Sequence, residues 1–150
     1  MKRIVSVIML FCLLLASNPV TVQASENSSE TVYFEDGSYM TTEIFYVRSR
    51  ASDQISGTKQ RTYYGNEGVV SWTAILRGTF RYTGTTATCT YSTCDVTIYD
   101  SAWYTISKSP AMLGNKATCE LTMGRKVLGV TVSRVPVSMV LTCDANGNLS

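Results

Sequence analysis

The chain has 150 residues, of which 45% are hydrophobic and 16% charged; it holds five cysteines and no histidine, and its formal net charge is +2. Without histidine there is no Ser-His-Asp or Cys-His site, because imidazole is the side chain that moves protons near neutral pH. A charge so close to balance lacks the basic excess of nucleic-acid or membrane-surface binders.

The first residues read as an export signal. Met1-Lys2-Arg3 is a short cationic start, Ile4 to Ala16 is almost wholly apolar, Asn18-Pro19 breaks the helix, and Val22-Gln23-Ala24 fits signal peptidase. The apolar run is short of the roughly 18–20 residues that cross hydrocarbon, which argues against a retained anchor. Cys12 follows bulky Phe11 inside that run, so it is a poor lipidation site. Cleavage after Ala24 predicts a secreted, extracellular chain with no stable membrane anchor. Lys2 and Arg3 leave with the signal and no acid does, so thirteen basic residues become eleven against eleven acidic ones, a net of zero.

Residues 25–30 are expected to be a disordered leader and 31–150 a single β domain. Thr31–Phe34 and Ser38–Arg48 form a hairpin about Asp36-Gly37, and 49–57 reads as a loop. Lys59–Tyr64 pairs across Gly65–Gly68 with the clearest strand, Val69–Tyr82. There Val70, Trp72, Ala74, Leu76, Gly78, Phe80 and Tyr82 share one face. Strands at Ala87–Tyr91, Cys94–Tyr99, Ala102–Ser107, Ala117–Met123 and Val130–Cys143 follow, with a loop at Pro110 and Gly114-Asn115. The fold class is therefore all-β, an antiparallel β-sandwich or a small β-barrel of about eight strands. Apolar residues fall on even numbers at Val130 and Val132 and on odd numbers from Val135 to Cys143, which predicts a bulge near Ser133–Pro136.

Cys89, Cys94, Cys119 and Cys143 each share a face with apolar neighbours, so all four point inward. Outside the cell an even number of cysteines predicts two disulfides. A metal site is not expected, because histidine and any C-x-x-C pair are absent. A turn near Lys126–Gly129 sets Cys119 across from about Pro136, with Cys143 on the order of 23 Å further along. Disulfides need Cα atoms within about 7 Å. This disfavours Cys119–Cys143, and with it Cys89–Cys94. Cys89–Cys143 with Cys94–Cys119 remains, as does the crossed alternative; the first is preferred. The spacing of Cys89, Trp103 and Cys143 partly matches an immunoglobulin pattern, but Leu141 replaces the corner tyrosine and only seven residues follow Cys143.

From about Tyr63 onward, several stretches resemble a group of uncharacterised small secreted β-rich proteins of Gram-positive, clostridia-like anaerobes. They are Gly78-Thr79-Phe80-Arg81-Tyr82-Thr83-Gly84, Ala87-Thr88-Cys89-Thr90, Tyr99-Asp100-Ser101-Ala102-Trp103, Gly114-Asn115-Lys116-Ala117, Lys126 to Val132, and Leu141-Thr142-Cys143. Within that resemblance Cys89 and Cys143 fit the pattern, while Cys94 and Cys119 are additions that suit a second bridge between them. The resemblance implies a compartment and no activity.

The chemistry left to the chain is sparse. Asp95, Asp100 and Glu120 are the candidates for a carboxylate pair of the glycosidase kind; each also reads as an ordinary turn or surface acid. Asp144 to Asn148 echoes a calcium loop but lacks the closing glutamate, so an Asn-Gly turn explains it. Asn27-Ser28-Ser29 and Asn148-Leu149-Ser150 match glycosylation sequons. Trp103 is expected to face away from Ala102, Tyr104 and Ile106, and one of Tyr63 and Tyr64 to be exposed. Exposed rings of this kind stack on sugars or anchor a partner. The expected function is a secreted, non-enzymatic β-module that binds a glycan or a cell-surface protein through Trp103, Tyr63 and Tyr64, without cofactor, metal or nucleic acid. The alternatives are an antimicrobial or membrane-active effector and a carboxylate-dependent hydrolase.

Overall fold

The structure, a computed structural model, describes residues 29–48 and 53–150. The expected export signal of 1–24, Cys12 and most of the expected leader lie outside the described residues. Eight strands form in chain order: β1 (Ser29–Tyr33), β2 (Tyr39–Arg48), β3 (Gln54–Tyr64), β4 (Val70–Tyr82), β5 (Ala87–Ile98), β6 (Trp103–Leu113), β7 (Lys116–Val127) and β8 (Val130–Thr142). No helix occurs among the described residues. The strands make two antiparallel sheets, one ordered β1-β2-β3-β4-β5 and the other β6-β7-β8.

Every strand lies beside its sequence neighbour except at the β5–β6 step, which carries the chain from one sheet to the other. In such a meander the turns after odd-numbered strands gather at one end of the molecule and those after even-numbered strands at the other. This is not the strand order of an immunoglobulin domain.

The inner faces share one core. Ile55, Tyr63, Trp72, Ala74, Leu76 and Phe80 of the larger sheet pack with Trp103, Ala117, Cys119, Leu121, Met123, Val137, Met139 and Leu141 of the smaller, a sandwich-like arrangement. Gly78 permits a close approach of the sheets, since a Cβ there would stand 2.8 Å from the Ala117 Cβ and from the Phe80 ring. Lys59 crosses the β3–β8 seam and donates to the Val140 carbonyl (2.9 Å). On the outer face, Thr31, Thr41, Thr62, Thr73 and Thr97 stand in register across all five strands. β-Branched cross-strand neighbours of this kind hold a sheet's register.

Several boundaries differ from those expected. Ser29 and Glu30 pair with Glu43 and Thr42, so β1 begins inside the expected leader. β3 starts at Gln54, inside the expected 49–57 loop; residues 49–52 lie outside the described residues. Residues 87–91 and 94–99 are one strand, because Ser92 and Thr93 pair with Gly78 and Arg77 without a break. The expected loop around Pro110 is part of β6. Proline is tolerated there because β6 is an edge strand whose outer side needs no donor. The β8 bulge falls at Val132, just before the expected 133–136; together with a tighter turn at Leu128-Gly129 it sets Cys119 opposite Met139 instead of Pro136.

Candidate functional site

The turns after β1, β3 and β5 and the end of β7 enclose a cleft of about 500 Å³ at one pole. Each wall has a local cause. In the first turn, Gly37 takes a φ of 81° that its lack of Cβ permits. Asp36 Oδ1 there accepts from the Ser38 amide (3.0 Å) and hydroxyl (2.5 Å). The Tyr63 hydroxyl donates to Ser38 Oγ (2.8 Å), tying the turn to β3. The hydroxyl and then the amide of Ser38 hold the Asp36 carboxyl below its ordinary value of 3.8. In the second turn the Gly65 amide donates to the Val69 carbonyl (2.9 Å) and that of Gly68 to Gly65 (2.9 Å). In the third, Asp100 Oδ1 accepts from the Ala102 amide (2.9 Å). The amides of Tyr99 and Asp100 both donate to the Ser71 carbonyl (2.9 and 3.1 Å). Arg125, opposite Trp103 in the smaller sheet, completes the cleft.

Tyr63 and Trp103 line its base, with the buried Trp72 packed against both. Tyr63 stacks on Trp72 (5.2 Å, 4° between planes), and Trp103 meets Tyr63 edge-on (5.0 Å, 60°) and Trp72 likewise (6.2 Å, 63°). Tyr63 and Trp103 are each only 6% exposed. Trp103 is therefore no open platform, against the orientation expected from its polar neighbours Thr105 and Ser107. The register slips between Thr105 and Ser107, so Trp103 and Thr105 share the inward side before the slip. Thr105 remains exposed on that side, with its hydroxyl donating to Met123 Sδ (3.7 Å).

Tyr64 points the other way and stacks on Tyr39 (4.5 Å, 8°), which meets Tyr33 (5.6 Å). Tyr33, 75% exposed, ends this three-tyrosine row on the outer face at the same pole. Sequence reasoning missed Tyr33 and Tyr39. The signal was present, because the Asp36-Gly37 hairpin sets residue 33 opposite residue 39.

The candidate carboxylates are not brought together. Asp95 pairs with Arg77 on the outer face of the larger sheet. Glu120 accepts from the Ser138 hydroxyl (2.6 Å) on the outer face of the smaller. The core lies between them, and of the three only Asp100 lines the cleft, with Asp36 and Glu67. Among the described residues no group of three or more acids and cysteines could hold a metal ion. At Asp144 the carboxylate accepts from the Asn146 and Asn148 amides (2.8 Å each), an Asx-type turn.

No disulfide joins the four buried cysteines in this structure, where two were expected. Their placement is nonetheless selective. Cys89 and Cys94 lie along one strand, about 17 Å apart at the usual rise. Cys143 lies four residues past the partner of Cys119, about 13 Å by the same measure. Cys89 and Cys143, in contrast, donate their amides to adjacent carbonyls of one turn, Gly114 (2.8 Å) and Asn115 (3.0 Å). Burial, and then the neighbouring Cys119 thiol, pushes the Cys94 thiol up to about 12.

Comparison with protein-family models, with curated proteins and with solved structures finds no match to this chain.

Proposed function

We propose that this is a secreted, non-enzymatic β-sandwich module that binds a polyhydroxylated ligand, such as a glycan of a cell surface, in the cleft at the odd-turn pole. The observation that carries the reading is the cleft's chemistry. Asp36, Glu67 and Asp100 offer carboxylates to ligand hydroxyls, Arg125 offers a fork of donors, and the edges of Tyr63 and Trp103 form an apolar base. The volume lies within the range of small-ligand sites, roughly 300–1,000 Å³. Export and oxidation belong to the same reading, with bridges Cys89–Cys143 and Cys94–Cys119. The shared Gly114-Asn115 turn supports the first bridge, and the proximity of the two thiols supports the second.

The test is a glycan and cell-wall binding screen of the purified protein, repeated with Glu67→Gln and Arg125→Gln. Both residues line the cleft without belonging to the core. Binding that both variants lose while melting as the wild type does would support the cleft. Binding that survives both, or no binding at all, would refute it. Trp103→Ala is the poorer probe, because it removes core packing together with any contact.

A further inference from the structure

The β7–β8 hairpin closes on a two-residue turn, Leu128-Gly129, with φ of 49° and 80°. Both values are left-handed, the geometry of a type I′ turn, which favours Asn-Gly, Asp-Gly or Gly-Gly. Leu128 is the one non-glycine with positive φ among the described residues, and it is 99% exposed. Neither backbone preference nor packing explains a leucine there. The tip leans on nothing, since a Cβ on Gly129 would meet no atom within 4 Å. Val127, Val130 and Val132 are exposed beside it, with Val130 at 65%.

Behind this apolar tip comes a basic collar. Lys126 Nζ sits 4.3 Å over the Tyr104 ring, and the Tyr104 hydroxyl shares a hydrogen bond with Thr131 (2.6 Å). Arg125 and Arg134 follow one step back, and no acid occurs between Leu121 and Cys143. The net charge of the exported chain averages over this segregation. The cleft carboxylates Asp36, Glu67 and Asp100 stand at the same pole.

We propose that the β7–β8 hairpin tip, Val127 to Val132, is a docking wedge for an anionic lipid bilayer. Leu128 and its valines enter the acyl boundary, while Lys126, Arg134 and the Tyr104 hydroxyl lie among the phosphates. Apolar tip, then aromatic, then cation is the order in which side chains partition across a membrane interface. The inference rests on the hairpin alone and not on a ligand in the cleft.

The test is co-sedimentation of the purified protein with vesicles of phosphatidylcholine containing phosphatidylglycerol, and with vesicles of phosphatidylcholine alone. Leu128→Asn is the variant and Leu113→Asn the control, at an exposed leucine of the opposite pole. The wild type and L113N are expected to sediment with the anionic vesicles and much less with the neutral ones. L128N should partition roughly tenfold or more weakly, having lost a leucine's apolar area, while melting no lower than wild type because asparagine suits the turn. No binding by the wild type, equal binding to neutral vesicles, binding retained by L128N, or binding lost by L113N would each overturn the proposal. A concentration-dependent dimer that ignores vesicles and that L128N dissolves would overturn it in favour of a second copy of the chain.

Discussion

Asp36 shows how one side chain organises the pole. Its carboxylate holds Ser38, and Ser38 holds Tyr63, so a turn acid, a strand ring and the cleft wall move together. Because its folded-state value is depressed, Asp36 contributes stability that is fully present above 3.8 and is lost as pH falls through the folded value. An NMR titration of the Asp36 carboxyl should give a midpoint below 3.8, and Ser38→Ala should move that midpoint upward. The same change leaves the Tyr63 hydroxyl without its acceptor, a loss of about 1–3 kcal/mol that chemical denaturation would read. Gly78 is the other exacting position. Gly78→Ala drives a methyl against Ala117 and Phe80, and overpacking of that kind costs about 1–3 kcal/mol. A melting point unchanged by G78A would show that the two sheets are not so close.

At the scale of elements, the turns were legible and the strand lengths were not. Asp36-Gly37, Gly65 to Gly68, Gly114-Asn115 and Lys126 to Gly129 marked their turns because Gly37, Gly68, Gly114 and Gly129 supply the positive φ. The strands through Ser92-Thr93 and through Pro110 were read as interrupted. Ser92 on the inner face beside Gly78 and the exposed run around Pro110 both belong to continuous ladders, and composition cannot distinguish such stretches from loops. Trp103 failed for a related reason. The register slip after Thr105 reverses the alternation, and Trp103 is buried although Thr105 and Ser107 further along the strand are exposed. The cleft itself needed the fold, since it joins residues 36, 67, 100 and 125, which no local pattern links. Trp103→Ala should cost about 3–5 kcal/mol, as for other large core aromatics. A urea titration showing less than about 1 kcal/mol would return Trp103 to the surface.

For the whole molecule, the meander decides where function lies. Three hairpin turns and the β5–β6 crossing converge on one pole, and with them the cleft, the tyrosine row and the β7–β8 tip, while cysteines Cys89 and Cys143 lie by the opposite pole. If the proposed bridges form, reduction should destabilise the protein by about 3–4 kcal/mol for each loop released. Calorimetry with and without reductant would measure the fall, and non-reducing peptide mapping would assign the pairs. A recovered Cys89–Cys119 peptide would overturn the assignment.

The most direct measurement of the account is hydroxyl-radical footprinting of the protein bound to isolated cell envelopes. Protection should fall on residues 33–38, 64–69, 99–103 and 125–132. Protection instead over 83–87, 113–116 and 144–148, or spread along the threonine face of the larger sheet, would contradict it.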